Sequence, residues 1–169
     1  MANWHVISAY ADNFAAWLRG QGLPHPAVRP GNQIPTTAEM KWALEADERL
    51  VFHYPTGDGE LWARVEGGTR SAGLIISGFD WDADRWTPGD HFFIRGSDVL
   101  FSVLIRLCQR CGQLYLYPDS GAPAIVLDAR LKPKTVARLH REACQRPDPW
   151  PYFFERMHGP GGLASEPPA

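Results

Sequence analysis

The side chains best suited to chemistry in this 169-residue chain are three cysteines and six histidines. Cys108-x-x-Cys111 and, downstream, His140-x-x-x-Cys144 offer four donors of the kind that close a zinc tetrahedron. Two features weigh against that use. The gap between the halves is about twice the roughly 12–15 residues usual for such sites. The first pair also falls in the last turn of an apolar segment, where cysteine packs as a small hydrophobe. The same placement argues against thioredoxin-like redox work, which needs the thiols at the opening of a helix, where the dipole lowers their pKa. The cysteines are therefore expected to be core residues, with no cofactor implied. A zinc-stabilised nucleic-acid or adaptor module built on Cys108, Cys111, His140 and Cys144 stands as the alternative.

Carboxylates make the second constellation. Asp80-Trp81-Asp82-Ala83-Asp84 matches the opening of a calcium loop, but Arg85 stands where the glycine belongs and His91 where the bidentate glutamate belongs. What is left is an acidic connection in which Trp81 and Trp86 sit among carboxylates. Exposed tryptophan flanked by charge is the composition of an interface hot spot. Asp80, Trp81, Asp82, Asp84, Trp86 and Asp90 are thus the first expected partner contacts. Tyr117, Asp119 and Ser120, around a later hairpin loop, form a second set.

Catalytic signatures are missing. There is no Gly-x-Ser-x-Gly elbow and no phosphate-cradling glycine loop, and no two histidines have metal spacing. Asp90 and His91, as neighbours in a strand, point to opposite faces. The expectation is a protein that is not an enzyme; an enzyme of unrecognised type, gathering residues from distant loops, is a further alternative.

A net charge of −2 argues against a general polyanion binder. That figure hides an asymmetry. Residues 1–90 carry 12 acidic and 7 basic side chains, whereas residues 91–169 carry 7 and 10. Lys134, Arg138 and Arg141 share a helix face that could track phosphates, yet no aromatic residue stands on it, so nucleic acid is not the expected partner. The N-terminus has no basic and apolar leader. The most apolar stretch, Val99–Leu107, has about nine residues against the roughly 20 of a membrane span. A cytoplasmic protein with no membrane contact is expected.

These residues need elements to position them. Asn13–Arg19 reads as a short helix ending at Gly20, and 20–35 is a loop rich in glycine and proline. Thr36 and Glu39 form a capping box for a second helix with Met40, Ala43 and Leu44 inward. From Arg49 the period becomes two. Leu50–Tyr54, Leu61–Val65, Ala72–Phe79 and His91–Arg95 read as a meander whose first turn is Thr56-Gly57-Asp58-Gly59. Ser97-Asp98 caps the strongest helix, which buries Leu100, Leu104, Leu107 and Cys111 and ends at Gly112. Leu114–Tyr117 and Ala124–Leu127 form a second hairpin. Pro133 opens a last helix with Val136, Leu139 and Ala143 inward. The predicted class is α+β: an antiparallel β-meander plus a second β-hairpin, packed with about four α-helices. Residues 1–158 are one domain and 159–169 a flexible tail. With 20 aromatic residues there is ample apolar surface to order it.

Phe92-Phe93-Ile94-Arg95-Gly96-Ser97-Asp98-Val99-Leu100-Phe101, followed by Cys111-Gly112-Gln113-Leu114-Tyr115-Leu116-Tyr117-Pro118-Asp119-Ser120-Gly121, resembles small bacterial immunity proteins. Those are cytoplasmic antidotes encoded beside antibacterial toxins, type VI secretion effectors among them. The likeness covers about 30 residues in a strand–helix–strand rhythm. It implies a protein that binds one cognate toxin and blocks its active site. It carries no site residues with it, because these families share no functional motif.

Overall fold

The structure, a computed structural model, describes residues 2–8, 33–65, 74–88, 91–96, 99–118 and 125–145. The predicted helix at 13–19, the cap Ser97-Asp98 and the tail 159–169 with its boundary lie outside these residues.

The elements follow in the order β1 (Ala2–Ser8), α1 (Thr37–Glu45), β2 (Leu50–His53), β3 (Leu61–Val65), β4 (Leu74–Ser77), β5 (His91–Gly96), α2 (Val99–Cys111), β6 (Leu114–Pro118), β7 (Ile125–Leu127) and α3 (Pro133–Gln145). The α+β class, the four-stranded meander β2–β5 and the hairpin β6–β7 are all present. Two corrections apply. Three helices are described where about four were expected. The meander and hairpin are also not separate: β1, unforeseen in the sequence, lies between β5 and β6 and joins everything into one antiparallel sheet ordered β2-β3-β4-β5-β1-β6-β7.

Alternation along the strands sends one set of side chains to the helices. Leu61 and Ala63 of β3 are buried while Trp62 and Arg64, alternating with them, are exposed, the period-2 pattern of a half-solvated antiparallel sheet. Val6, Leu50, Leu61, Leu74, Ile76, Phe92, Ile94, Leu114, Leu116, Ile125 and Leu127 build the sheet side of the core. The helix layer covers them, with α2 central between α1 and α3. Eight of the thirteen residues of α2 are buried, Leu100, Phe101, Leu104 and Leu107 among them, and each large aliphatic side chain so buried contributes about 1.5–3 kcal/mol. The helix ends at Gly112, whose φ of 79° is the left-handed conformation that a C′ residue takes. No helix among the described residues is long and apolar enough to cross a membrane.

Candidate interaction site

Between β4 and β5 the chain leaves the sheet at Gly78 and crosses the end of the helix layer. Sequence composition puts Trp81 and Trp86 on the surface of this loop; the structure does the reverse. Trp81 is 2% exposed and Phe79 fully buried, and Trp86 is half-buried against the core. The Trp81 ring lies 5.4 Å from Phe79 and 5.6 Å from Tyr54, while Phe79 contacts Trp86 at 6.1 Å and Phe92 at 5.1 Å. Tilted and edge-on rings at such separations add to plain area burial. Trp81 is thus a core residue and Trp86 packs half-buried against the core, so neither is an exposed anchor.

Hydrogen bonds explain why a loop this polar folds inward. The Trp81 indole N–H donates to Gly59 O at 2.9 Å and its backbone N–H to Gly57 O at 2.9 Å. Asp82 Oδ2 accepts from the Gly57 N–H at 2.7 Å. The loop is therefore stitched to the turn between β2 and β3. That turn needs its glycines: Gly57 has φ 69°, and a Cβ at Gly59 would come within 2.8 Å of the Pro55 Cβ.

On its other side the loop closes the start of α1. The first four N–H groups of a helix have no partner within it, and here each finds one. Thr36 N–H donates to the Glu39 carboxylate, Thr37 N–H to Trp86 O, Ala38 N–H to Asp84 O and Glu39 N–H to the Thr36 hydroxyl. The predicted capping box is complete, since the Glu39 carboxylate accepts from the Thr36 N–H at 2.8 Å. The Thr37 hydroxyl adds a bond to Asp80 O at 2.8 Å.

Outward the loop presents the carboxylates of Asp82 and Asp84 and, beside them, the side chain of Arg85, all three residues exposed. Asp82 is exposed, and the Asp84 side chain is 68% exposed although it pairs with Lys41 at 2.9 Å. Asp80 turns back and accepts from the Asp82 N–H. Asp58 and Glu60, exposed on the adjoining turn, extend the acidic edge. Of the expected contacts, then, Asp80, Asp82 and Asp84 come together on one rigid loop, with Trp81 and Trp86 beneath it. Asp90, Asp119 and Ser120 lie outside the described residues, as does the side chain of Tyr117 in β6.

The cysteine constellation resolves differently. Cys108 and Cys111 are both buried in the final turns of α2. Burial pushes the Cys108 thiol up to about 12. Burial and the neighbouring Glu39 carboxylate raise that of Cys111 as well, and its thiol donates to Glu39 Oε2 at 3.5 Å. Both are protonated thiols at neutral pH, opposite to what a metal-binding or nucleophilic cysteine needs. The His140 ring stands 6.3 Å from that of Phe101, and the Cys144 side chain lies outside the described residues. Among the described residues no three His, Cys, Asp or Glu side chains are grouped to hold a metal ion.

One surface residue was missed by sequence reasoning. Trp62 is 54% exposed, on the sheet face turned away from the helices. The signal was the alternation Leu61-Trp62-Ala63-Arg64-Val65, which pairs Trp62 with Arg64 and opposes it to the core residues. Compared with protein-family models, with curated proteins and with solved structures, the chain matches none.

Proposed function

We propose that this chain is a non-catalytic binding protein: a cytoplasmic antidote that neutralises a cognate protein toxin by covering its active site, as the immunity proteins it resembles do. The observation that carries the reading is the loop Asp80–Trp86, in which Asp82 and Asp84 are exposed while Trp81 and Trp86 pack into and against the core and the backbone is hydrogen-bonded to the β2–β3 turn and the start of α1. A preordered loop loses little conformational entropy on binding. Fixed exposed carboxylates complement a basic cleft, acting mainly on encounter rate and orientation. Asp82 and Asp84 are the contacts, with Asp58 and Glu60 extending the acidic edge. Trp81 and Trp86 act by holding the loop's shape.

Immunity genes lie beside those of their toxins, which supplies the test. Bacteria expressing the neighbouring open reading frame should survive when this chain is co-expressed and die without it. The Asp82→Lys, Asp84→Lys variant, shown by its melting curve to be folded, should bind the purified toxin with an on-rate about tenfold lower. Undiminished binding by that variant would remove the loop from the proposal, and absence of rescue by the unaltered chain would remove the antidote reading itself.

A further inference from the structure

The face of the sheet turned away from the helices carries its own pattern. Its most exposed large apolar residues among those described are Trp62, 54% exposed, and Val51, 36% exposed. Register places His53 and Ile75 directly beside Trp62, and Val51 beside Arg64. None of the seven described strands contains an aspartate or glutamate, so the fixed charge on this face is that of Arg64 and Arg95, both exposed. Among the described residues at this end of the sheet, acidic charge begins where β3 meets its turn, at Glu60 and Asp58, both exposed.

Along β3 the alternation therefore presents Glu60, Trp62 and Arg64 in line, about 7 Å apart at the rise of an extended chain. The order acid, aromatic, base is self-complementary. A twofold axis lying in the interface, across the strands and through Trp62, brings Glu60 of one copy over Arg64 of the other, twice, with the two Trp62 rings meeting at the centre. Contacts of this reciprocal kind define an isologous dimer. We propose that this chain associates with a second copy of itself, face to face, through the β2–β3 end of this sheet face. Arg95, two strands or about 10 Å from Trp62, sits at the rim. The roughly 30° crossing of packed sheets carries it off its symmetry mate, and salt screens what repulsion is left. A nucleic acid fits the same face poorly, because Glu60 and Asp58 flank the one exposed indole among the described residues and repel phosphate. The inference rests on the sheet face and not on the toxin-binding loop, and Glu60 is the one residue the two surfaces share.

Sedimentation velocity on the full chain tests it directly. The unaltered protein should run as a dimer at concentrations of about 100 μM and dissociate on dilution. Trp62→Ala should weaken the dimer at least tenfold, and Trp62→Phe, which keeps the aromatic anchor, should preserve it. Glu60→Lys and Arg64→Glu should each weaken it because like charges then oppose across the axis, and the doubly exchanged chain should recover because the pairing is only reversed. A monomer at all concentrations overturns the proposal. So does a dimer indifferent to Trp62→Ala, and so does a double exchange no better than either single one.

Discussion

At the scale of single residues, the environment of a side chain decides its role more than its type. Trp81 stands between two aspartates in the sequence, yet Gly59 O and Gly57 O supply acceptors for both of its N–H groups. With its polar atoms satisfied, the indole can be buried. No local pattern in 80–86 encodes this, because the acceptors come from a turn more than twenty residues earlier. Trp81→Ala should cost about 3–5 kcal/mol in urea unfolding, the range for large aromatic truncations. Trp81→Phe should cost about 1–2 kcal/mol, chiefly for the acceptor left without its donor. A cost for Trp81→Ala below 1 kcal/mol, about that of a surface change, would place the ring outside the core. The cysteines, by contrast, were readable from the sequence: an apolar helix face ending in Cys108 and Cys111 gave core thiols. Burial raises both, Cys108 to about 12, so at pH about 8 the thiolate fraction is minimal. In a Cys144→Ser chain, Ellman's reagent should find essentially no reactive thiol in the native state and two in denaturant. Rapid native reaction would contradict the burial of both.

At the scale of elements, the capping box of α1 was fully visible as Thr36 and Glu39, three residues apart, because a cap is a local device. Its surroundings were not. Glu39 also accepts from the Gln33 amide at 2.8 Å and from the Cys111 thiol, and Gln33 N–H donates to Cys111 O at 3.0 Å, so one carboxylate joins the start of α1 to the end of α2. The C-terminal end of α1 is tied likewise, with Arg106 of α2 donating to Ala43 O where α1 has no basic residue in its own last turn. Thr36→Ala should therefore cost about 1–2 kcal/mol, at the upper end for a lost cap. Before α3 a second local device is built on Asp128. It accepts from the Arg130 backbone N–H and, in an ion pair at 2.8 Å, from the Arg130 guanidinium. These bonds hold its carboxyl down at about 2, from 3.8. A depressed acid contributes stability above its unfolded pKa and loses it as pH falls through the folded one. The stability difference between the unaltered chain and Asp128→Asn should thus be steady from neutral pH to about 4 and shrink between about 4 and 2, followed by urea unfolding at each pH. A difference that grows on acidification would reverse the assignment.

At the scale of the whole molecule, what escaped the sequence was closure. The meander β2–β5 and the hairpin β6–β7 were each legible from alternation and turn residues, because hairpin partners are sequence neighbours. β1 has no such partner. It pairs antiparallel with β5 and β6, Val6 lying opposite both Phe92 and Leu116, contacts more than eighty residues away. A seven-residue segment with Asn3, His5 and Ser8 among its residues carries only the faint alternation of Trp4 and Val6. Yet without it two sheet fragments remain, β2–β5 and β6–β7, each with a new unpaired edge of backbone donors and acceptors under the helix layer. The chain then lacks a continuous floor for its core, a single cluster to which α2 and strands on both sides of β1 contribute. Val6 is fully buried at this junction. Val6→Asp places a carboxylate there with no partner, a cost of several kcal/mol that rivals the whole stability of an ordinary domain. The variant should lose its cooperative thermal transition by circular dichroism, whereas Val51→Asp, on the exposed sheet face, should melt cooperatively within a few degrees of the unaltered chain. If Val6→Asp melted like Val51→Asp, β1 would be an accessory edge and the seven strands would not form one cooperative sheet.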